Sequence, residues 1–274
     1  MQGYYPTKRP MKRPDEETMT KTTEKTKTQL ADAIATPDGK RRYVRTLFST
    51  IADRYDLITV VLSYGQDQRW KRRLVDLVTA RASRPGGRAL DLATGTGDIA
   101  FSLAASGWNV IGLDVTRRMI ELARDKAAAA ADGRRGPRFL VGDMLALPFP
   151  AGSFDVVTAG YGLRNVPDLR AAIDEIHRVL HEGGWALSLD FNRPANSFVR
   201  GVYLAYLRLT GGLLGWLLHG DPDTYRYIPA SIKGYPGAEG VARLLEARGF
   251  VQVEYKAVLG GLMTIHIAHK TGGA

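Results

Sequence analysis

Most of this chain shows a regular alternation of two hydrophobic patterns. From Arg88 onward, short apolar runs of strand length are separated by longer segments in which apolar residues recur every three or four positions. Alternating strands and helices of this kind predict an α/β fold, with a mostly parallel sheet covered by helices on both faces. The predicted strands span residues 88–92, 109–114, 137–141, 154–159, 184–190, 250–257 and 263–269. The predicted helices span residues 98–106, 116–130, 168–181 and 238–248.

The N-terminal part of the chain divides near residue 43. Residues 1–42 contain no apolar run, and six of the eleven residues from Thr18 to Thr28 are threonine. Such a segment cannot bury enough apolar surface to offset its ordering entropy, so we predict a disordered, basic, Thr-rich tail rather than a signal peptide. A helical repeat of apolar residues starts at Tyr43. We therefore predict one domain over 43–274, which begins with a helical cap over 43–87.

The segment from Phe198 to His219 is long and apolar enough to raise the question of a membrane span. Two arginines, Arg200 and Arg208, and four glycines interrupt it. They disfavour a span, because a charge inside the bilayer is costly. Three interpretations remain open: a cover over an apolar pocket, a surface-seeking helix and an ordinary core helix.

The composition restricts the possible chemistry of the site more than it restricts the possible binding partners. The 274 residues carry a formal net charge of +10, which favours nucleic acid, anionic lipid or an acidic metabolite without choosing among them. Basic residues are densest over 69–88, where seven of them accompany a single acidic residue, Asp76. The chain has no cysteine, which excludes disulfides, Cys-ligated metal sites and a thiol nucleophile.

The most informative stretch joins the first predicted strand to the helix that follows it. Gly95, Gly97 and Ala100 match the glycine pattern with which dinucleotide-binding proteins approach a pyrophosphate. Asp114 lies nineteen residues beyond Gly95, at the end of the next strand, where a carboxylate accepts the hydroxyls of a ribose. Two ligands fit this pattern at this point: a nicotinamide dinucleotide and S-adenosylmethionine.

An acidic residue within the first strand favours S-adenosylmethionine. Asp91 is expected to point toward the glycine turn, and Asp98 adds a second carboxylate nearby. A carboxylate about 4 Å from one of the cofactor's two positive charges is favourable by roughly 4 kcal/mol at an effective dielectric constant near 20, whereas a pyrophosphate would be repelled. Asp143 and Met144 follow the third strand, where they are placed to contact an adenine ring. Asp91, Asp114 and Asp143 thus belong to consecutive strand ends, where open α/β sheets bind ligands.

The methyl acceptor is expected beyond the fourth strand, at residues 160–166. This stretch lacks the Asn/Asp-Pro-Pro-aromatic turn shared by adenine-N6 and related amine methylases. The absence of cysteine excludes thiol-dependent methylation of pyrimidines, so acceptors that supply their own nucleophile remain, such as phenolates and enolates. No Tyr-x-x-x-Lys arrangement follows the fourth strand, yet an NAD(P)-dependent oxidoreductase stays open as an alternative from a different class.

Longer motifs point to one group of enzymes. The most specific are the Gly-Leu-Arg-Asn-Val run of 162–166 and the Tyr-Arg-Tyr element of 225–227. The others lie at residues 52–56, 62–65, 69–72, 90–98, 146–150, 178–180, 183–184 and 223–224. With these motifs the chain resembles the ubiquinone/menaquinone biosynthesis C-methyltransferases, from about Phe48 to the C-terminus.

This resemblance implies a class I S-adenosylmethionine-dependent methyltransferase, with a Rossmann-like sheet of seven strands whose last strand is antiparallel. It implies C-methylation of a polyprenylated quinol with S-adenosyl-L-methionine as cofactor, and no metal. The family's cofactor residues fall here on Thr96, Asp114, Asp143 and Met144, while a serine common in the family is Gly160 here. The full set of predicted cofactor-binding residues is Asp91, Gly95, Thr96, Gly97, Asp114, Asp143 and Met144.

The resemblance also suggests residues that act on the acceptor. Asp67 occupies the position of a family histidine and Tyr161 lies beside the expected acceptor site, so either is a candidate base for deprotonating the quinol. Arg164 and Asn165 are candidates for stabilising the quinolate oxygen. Their alternative roles are an ion pair for Arg164 and a cap on the next helix for Asn165.

The run from Asp190 to Pro194 looks more like the naphthoquinone-methylating branch, which favours conversion of demethylmenaquinol to menaquinol. Methylation of a 2-polyprenyl-6-methoxybenzoquinol in the ubiquinone pathway, or of another small phenol, is the alternative. A polyprenyl tail needs an apolar channel, which an insertion over 198–235 and the first helix would cover. A polyprenylated quinol is dissolved in the bilayer. We therefore expect a cytoplasmic protein that contacts the anionic inner face of the cytoplasmic membrane and binds no nucleic acid.

Overall fold

The structure is a computed structural model that describes residues 30, 32–63, 65–82, 86–130, 136–221 and 224–272. Its strands are β1 (Arg88–Leu92), β2 (Asn109–Asp114), β3 (Arg138–Val141), β4 (Phe154–Gly160), β5 (Leu180–Phe191), β6 (Phe250–Val258) and β7 (Met263–Lys270). They form one sheet in the order β3-β2-β1-β4-β5-β7-β6. β7 pairs antiparallel with β5 and β6, and the other neighbours pair in parallel. The predicted seven-stranded, mostly parallel sheet is confirmed.

Helices cover both faces of this sheet. Those before the first strand include α1 (Pro37–Ile51), α2 (Tyr55–Leu62) and α3 (Asp67–Arg81). The others are α4 (Asp98–Ala105), α5 (Arg117–Ala129), α6 (Leu169–Val179), α7 (Ser197–His219), α8 (Tyr227–Gly234) and α9 (Gly237–Glu246). From β1 onward, the boundaries of the predicted elements agree with the hydrophobic pattern to within four residues, and the largest difference there is the earlier start of β5.

The first helix begins before the residue that the hydrophobic pattern indicated. The Thr36 side chain accepts a hydrogen bond from the backbone N–H of Gly39, and Pro37 occupies the first turn, so a cap and a proline together start α1. Residues 37–42, which we predicted to lie in the disordered tail, are therefore helical. Residues 1–29 and 31 of that predicted tail lie outside the described residues.

The core explains why the strands appear in the sequence as continuous apolar runs. In β1, Ala89 packs into one apolar cluster and Leu90 and Leu92 pack into a second. A strand covered by helices on both faces has no side that faces solvent, so polar and apolar residues do not alternate along it. The carboxyl ends of β1, β2, β3 and β4 consequently form one firmly packed edge, where the candidate functional residues lie.

α7 is the apolar segment whose role the sequence left open. Tyr203, Leu207 and Gly211 are buried, and a Cβ added to Gly211 would lie 3.1 Å from the Cβ of Tyr225, so the backbone packs closely there. Seven other large apolar side chains of this helix are exposed, which excludes an ordinary core helix. By length and composition it is the one helix in the described ranges that could cross a membrane. Its buried residues Tyr203 and Leu207 line an apolar pocket.

Candidate active site

A glycine turn between β1 and α4 forms one wall of a cleft at the edge of the sheet. The Asp114 side chain fixes this turn: one carboxylate oxygen accepts from the backbone N–H of Gly95 at 3.0 Å and the other from that of Thr116 at 2.8 Å. Burial raises the pKa of Asp114, although these backbone donors oppose the rise. Gly97 lies in the left-handed region at φ +94°, where only glycine is comfortable.

Asp91 lies beneath the turn and is completely buried. Its two oxygens accept hydrogen bonds from the hydroxyl of Thr94 at 2.6 Å and from that of Thr158 at 2.7 Å. Burial raises the pKa of Asp91 to about 6, against the lowering effect of these two donors. The residue lines a small pocket beside the turn together with Thr96 and Asp98. The predicted position under the turn therefore agrees with the geometry.

The cap helices close over the cleft through contacts that the sequence did not reveal. Thr96 donates its hydroxyl to Asp56 of α2 at 2.6 Å. Asp143 accepts from the backbone N–H of Leu145 at 2.9 Å and pairs with Arg41 of α1 at 3.2 Å. Buried Met144, predicted to pack on an adenine ring, lines the same cleft as Asp114 and Asp143.

Asp67, Tyr161 and Lys71 form a buried polar cluster next to the turn. Asp67 accepts from the hydroxyl of Tyr161 at 2.7 Å and forms an ion pair with Lys71 at 2.6 Å. Lys71 also pairs with Asp98 at 2.9 Å. Burial would lower the pKa of Lys71, but the two carboxylates raise it above its ordinary value. Burial and the neighbouring Asp67 charge hold the pKa of Tyr161 well above 10, so this phenol keeps its proton.

Two further predicted residues meet at the backbone of Tyr161, which has φ +58°. Arg164 donates from Nη1 to the Tyr161 carbonyl at 2.7 Å and to Asp190 at 2.9 Å, while the amide of Asn165 donates to the same carbonyl at 2.9 Å. The anticipated ion pair of Arg164 is therefore present and buried. Asn165 does not cap the next helix, because Asp168 takes that position with two hydrogen bonds to backbone N–H groups.

Two pockets meet at this point. The cleft over the glycine turn has an empty volume of about 720 Å³, and a second, mainly apolar pocket of about 1190 Å³ lies beside it. Phe48, Tyr55 and Tyr161 line both, so ligands in the two pockets would approach each other at these three rings. The apolar pocket is formed mainly by α1, α2, α7 and the segment 224–228, and Asp67 and Arg164 are among its polar members.

Sequence reasoning missed the contribution of α1. Lys40 donates to the backbone carbonyls of Arg164 at 3.1 Å and Val166 at 2.6 Å, and burial followed by the nearby Arg164 charge lowers its pKa. Lys40 and Arg41 fall in the segment predicted to be a tail. The Thr36-Pro37 pair, a cap followed by a proline at the first helical position, is the signal that could have placed them in a helix.

Two comparisons with known proteins point to the same family. A model described as the ubiE/COQ5 methyltransferase family matches residues 36–270. A demethylmenaquinone methyltransferase of Thermus thermophilus is 42% identical over 228 residues, which cover 82% of this chain and 100% of that protein. A ubiquinone/menaquinone biosynthesis C-methyltransferase of Methylobacterium nodulans is 35% identical over 250 residues, covering 90% and 98%.

Solved structures agree on the fold. The magnesium protoporphyrin IX methyltransferase of Synechocystis PCC 6803, crystallised with S-adenosylhomocysteine, superposes with a TM-score of 0.61 at 20% identity, covering 85% of this chain and 100% of that chain. At 20% identity, this likeness supports only a shared class I methyltransferase fold. Together with the match over residues 36–270, these findings show that the chain belongs to the ubiE/COQ5 methyltransferase family.

Proposed function

We propose that this protein transfers a methyl group from S-adenosyl-L-methionine to a ring carbon of a polyprenylated quinol, converting demethylmenaquinol to menaquinol. The observation that carries the proposal is the junction of the two pockets at Tyr161, beside the buried carboxylate of Asp67. The names of the two relatives support the quinone substrate. The family is one of methyltransferases, so the oxidoreductase alternative has no support.

The side chains that line the cleft match the chemical groups of S-adenosylmethionine. Asp114 offers a fixed carboxylate to ribose hydroxyls, Met144 and Leu113 offer apolar contact to an adenine ring, and Asp91 places negative charge under the turn. When bound, the cofactor supplies a methyl group on a positively charged sulfur. The protein's own task is then to hold the acceptor carbon in line with that methyl group, since orientation alone contributes several kcal/mol to such reactions.

Residues of the apolar pocket can activate the acceptor. Tyr161 keeps its proton, which leaves Asp67 as the group that accepts the proton of the quinol hydroxyl, either directly or through the Tyr161 hydroxyl. Of the two candidate bases, we therefore assign the base to Asp67 and a positioning role to Tyr161. We further propose that Arg164, held by Asp190, binds an oxygen of the ring from the apolar pocket, and Asn165, which lines the cofactor cleft, stays a predicted stabiliser of the quinolate charge.

Quinone profiling of a strain that lacks this gene tests the substrate. We expect a demethylmenaquinone to accumulate, and its menaquinone to return when the gene is supplied again. Accumulation of an unmethylated methoxybenzoquinone instead would favour the ubiquinone-pathway alternative. An unchanged quinone pool would contradict the proposed function altogether.

Cofactor affinity should depend on pH through Asp91. Because burial raises its pKa to about 6, the carboxyl binds a proton below that value, and a cationic ligand must then displace the proton to gain the attraction. Affinity therefore falls as the pH falls. We expect the Kd for S-adenosylhomocysteine, whose ammonium is positive, to be about tenfold higher near pH 5 than near pH 7 by isothermal titration calorimetry. Asp91→Asn should remove most of this slope, and a flat wild-type profile would argue against the contact.

Peripheral membrane contact is the second part of the proposal. The outer face of α7 exposes a stripe of apolar side chains at helical spacing, in which Phe198 is 78% exposed and Leu209 is 76% exposed. Leu57 on the neighbouring α2 is also exposed. Both helices line the apolar pocket from their other sides, so a lipid substrate could pass from the bilayer to the pocket between them.

Positive charge contributes less to this contact than the sequence suggested. Within the predicted basic stretch of 69–88, Lys71 is buried between two carboxylates and Arg81 pairs with Glu254 at 3.0 Å. Arg84 lies outside the described residues. Exposed arginines of α3 remain for anionic lipid, namely Arg69, Arg72 and Arg73.

Vesicle flotation tests the apolar stripe. The double variant Leu213→Ser, Trp216→Ser should bind vesicles about tenfold more weakly than wild type, because both side chains would otherwise leave water for the membrane. The matched control is Val251→Ser, Tyr255→Ser, which changes two exposed apolar side chains on the edge strand β6 and should float like wild type. Equal flotation of both variants would contradict the α7 contact, and comparison of neutral with anionic vesicles measures the electrostatic part.

A further inference from the structure

Three residues that line the apolar pocket have a buried polar atom without a hydrogen-bond partner. One of these atoms, Oδ2 of Asp67, is paired with the charge of Lys71, whereas Nε of Arg164 and the hydroxyl of Tyr227 are not paired in this way. Tyr227 is only 1% exposed. Buried polar groups are nearly always hydrogen-bonded, because burying them unpaired is unfavourable. Both residues line one pocket, so a polar group of a ligand bound there is the partner that would complete these two atoms.

Both side chains are held in place by the fold. Tyr227 begins α8, and its ring packs against that of Tyr43 with centroids 5.5 Å apart. Burial raises the pKa of Tyr227, against the lowering effect of the nearby Arg164 charge, so its hydroxyl keeps its proton and can donate as well as accept. The Arg164 guanidinium is fixed by Asp190 and lies over the ring of Phe191 at 4.6 Å.

These atoms form a polar spot separate from the Asp67 carboxylate. Arg164 contacts the backbone carbonyl of Tyr161, whereas Asp67 contacts its hydroxyl, so the two spots stand near opposite ends of one tyrosine. Most of the remaining lining is apolar.

We infer that Tyr227 and Nε of Arg164 bind the second oxygen of the acceptor ring, so that the pocket selects rings with two para oxygens over simple phenols. This inference rests on the proposed function and adds Tyr227 as a specificity-determining residue. A site that hydrogen-bonds a substrate hydroxyl discriminates strongly against an analogue that lacks it, because the buried groups of the site are then left unpaired.

A pair of acceptors with one short prenyl group tests the inference. One is the demethylated naphthoquinol, and the other keeps the hydroxyl beside the reacting carbon but lacks the para hydroxyl. Wild type should favour the quinol by at least about 10²-fold in kcat/KM. Tyr227→Phe should reduce this preference to roughly tenfold or less, mainly by losing activity on the quinol.

Tyr235→Phe is the matched control, because it removes another buried hydroxyl without a partner from outside both pockets. It should keep the wild-type preference. The thermal midpoint of Tyr227→Phe without ligand should not fall below that of wild type, since an unpaired buried group has been removed. An unchanged preference in Tyr227→Phe, or a wild type that methylates both rings equally well, would overturn the inference. A wild type that methylates neither ring would contradict the proposed function itself.

Discussion

Asp67→Asn is expected to lower kcat for methyl transfer by roughly 10²- to 10⁴-fold, the range that a positioned general base contributes. The carboxylate is buried, accepts the Tyr161 hydroxyl at 2.7 Å and lines the acceptor pocket. Asparagine keeps the shape of the side chain but cannot take the proton of a quinol. Tyr161 does not replace it, because burial is the largest cause of the raised pKa of this phenol and is unchanged in the variant.

Two comparisons separate this effect from misfolding. Lys71 retains its pairing with Asp98 in the Asp67→Asn variant, so the ammonium is not left unpaired. The Kd for S-adenosylhomocysteine should therefore stay within about threefold of wild type, since no hydrogen bond of the glycine turn has changed. Asp76→Asn, an exposed change on the same helix, should leave kcat unaltered. An Asp67→Asn enzyme with wild-type kcat would show that the base is another group.

Asp114→Asn is expected to weaken binding of S-adenosylhomocysteine by about 10²-fold. Both carboxylate oxygens accept from backbone N–H groups, those of Gly95 and Thr116. Asparagine offers only one acceptor and sets an NH₂ group against a backbone donor, which costs about 1–3 kcal/mol for a buried pair in addition to the lost charge. Every 1.4 kcal/mol corresponds to roughly a tenfold change in Kd.

Calorimetric titration and a thermal melt together test this second expectation. The control is Asp125→Asn, which removes an exposed carboxylate from α5, the helix that follows Asp114 in the chain. We expect the control to bind S-adenosylhomocysteine like wild type. Wild-type affinity in Asp114→Asn would show that Asp114 only stabilises the turn. The ribose hydroxyls would then donate to a different acceptor.

The fold and the cofactor edge could be predicted from the sequence because both depend on local patterns. The apolar runs indicated the strands, and Asp114 could be placed from its nineteen-residue spacing to Gly95. The hydrogen bond between Asp114 and the Gly95 backbone joins two strand ends that parallel pairing makes adjacent. Contacts of this kind follow from topology without knowledge of side-chain packing.

The cap could not be predicted in the same way. Its contacts, such as Asp56 with Thr96 and Arg41 with Asp143, join residues forty or more positions apart. Such pairs depend on how α1 and α2 dock on the sheet, and hydrophobic periodicity carries no information about docking. The Asp67–Lys71 pair was accessible in principle, because residues four apart on a helix are neighbours. The density of basic residues over 69–88 conceals it, because a run of charges is typical of a solvent-facing helix and gives no sign that Lys71 is buried.

Transfer of an isotope-labelled methyl group from S-adenosylmethionine to a short-chain demethylmenaquinol, with the purified full-length protein under reducing conditions, tests the central claim most directly. Mass spectrometry and NMR locate the label in the product. We expect the label on the ring carbon, with one S-adenosylhomocysteine formed for each methyl group transferred. Label on a ring oxygen, or no transfer to the quinol while S-adenosylhomocysteine still binds, would contradict the assignment of this protein as a quinol C-methyltransferase.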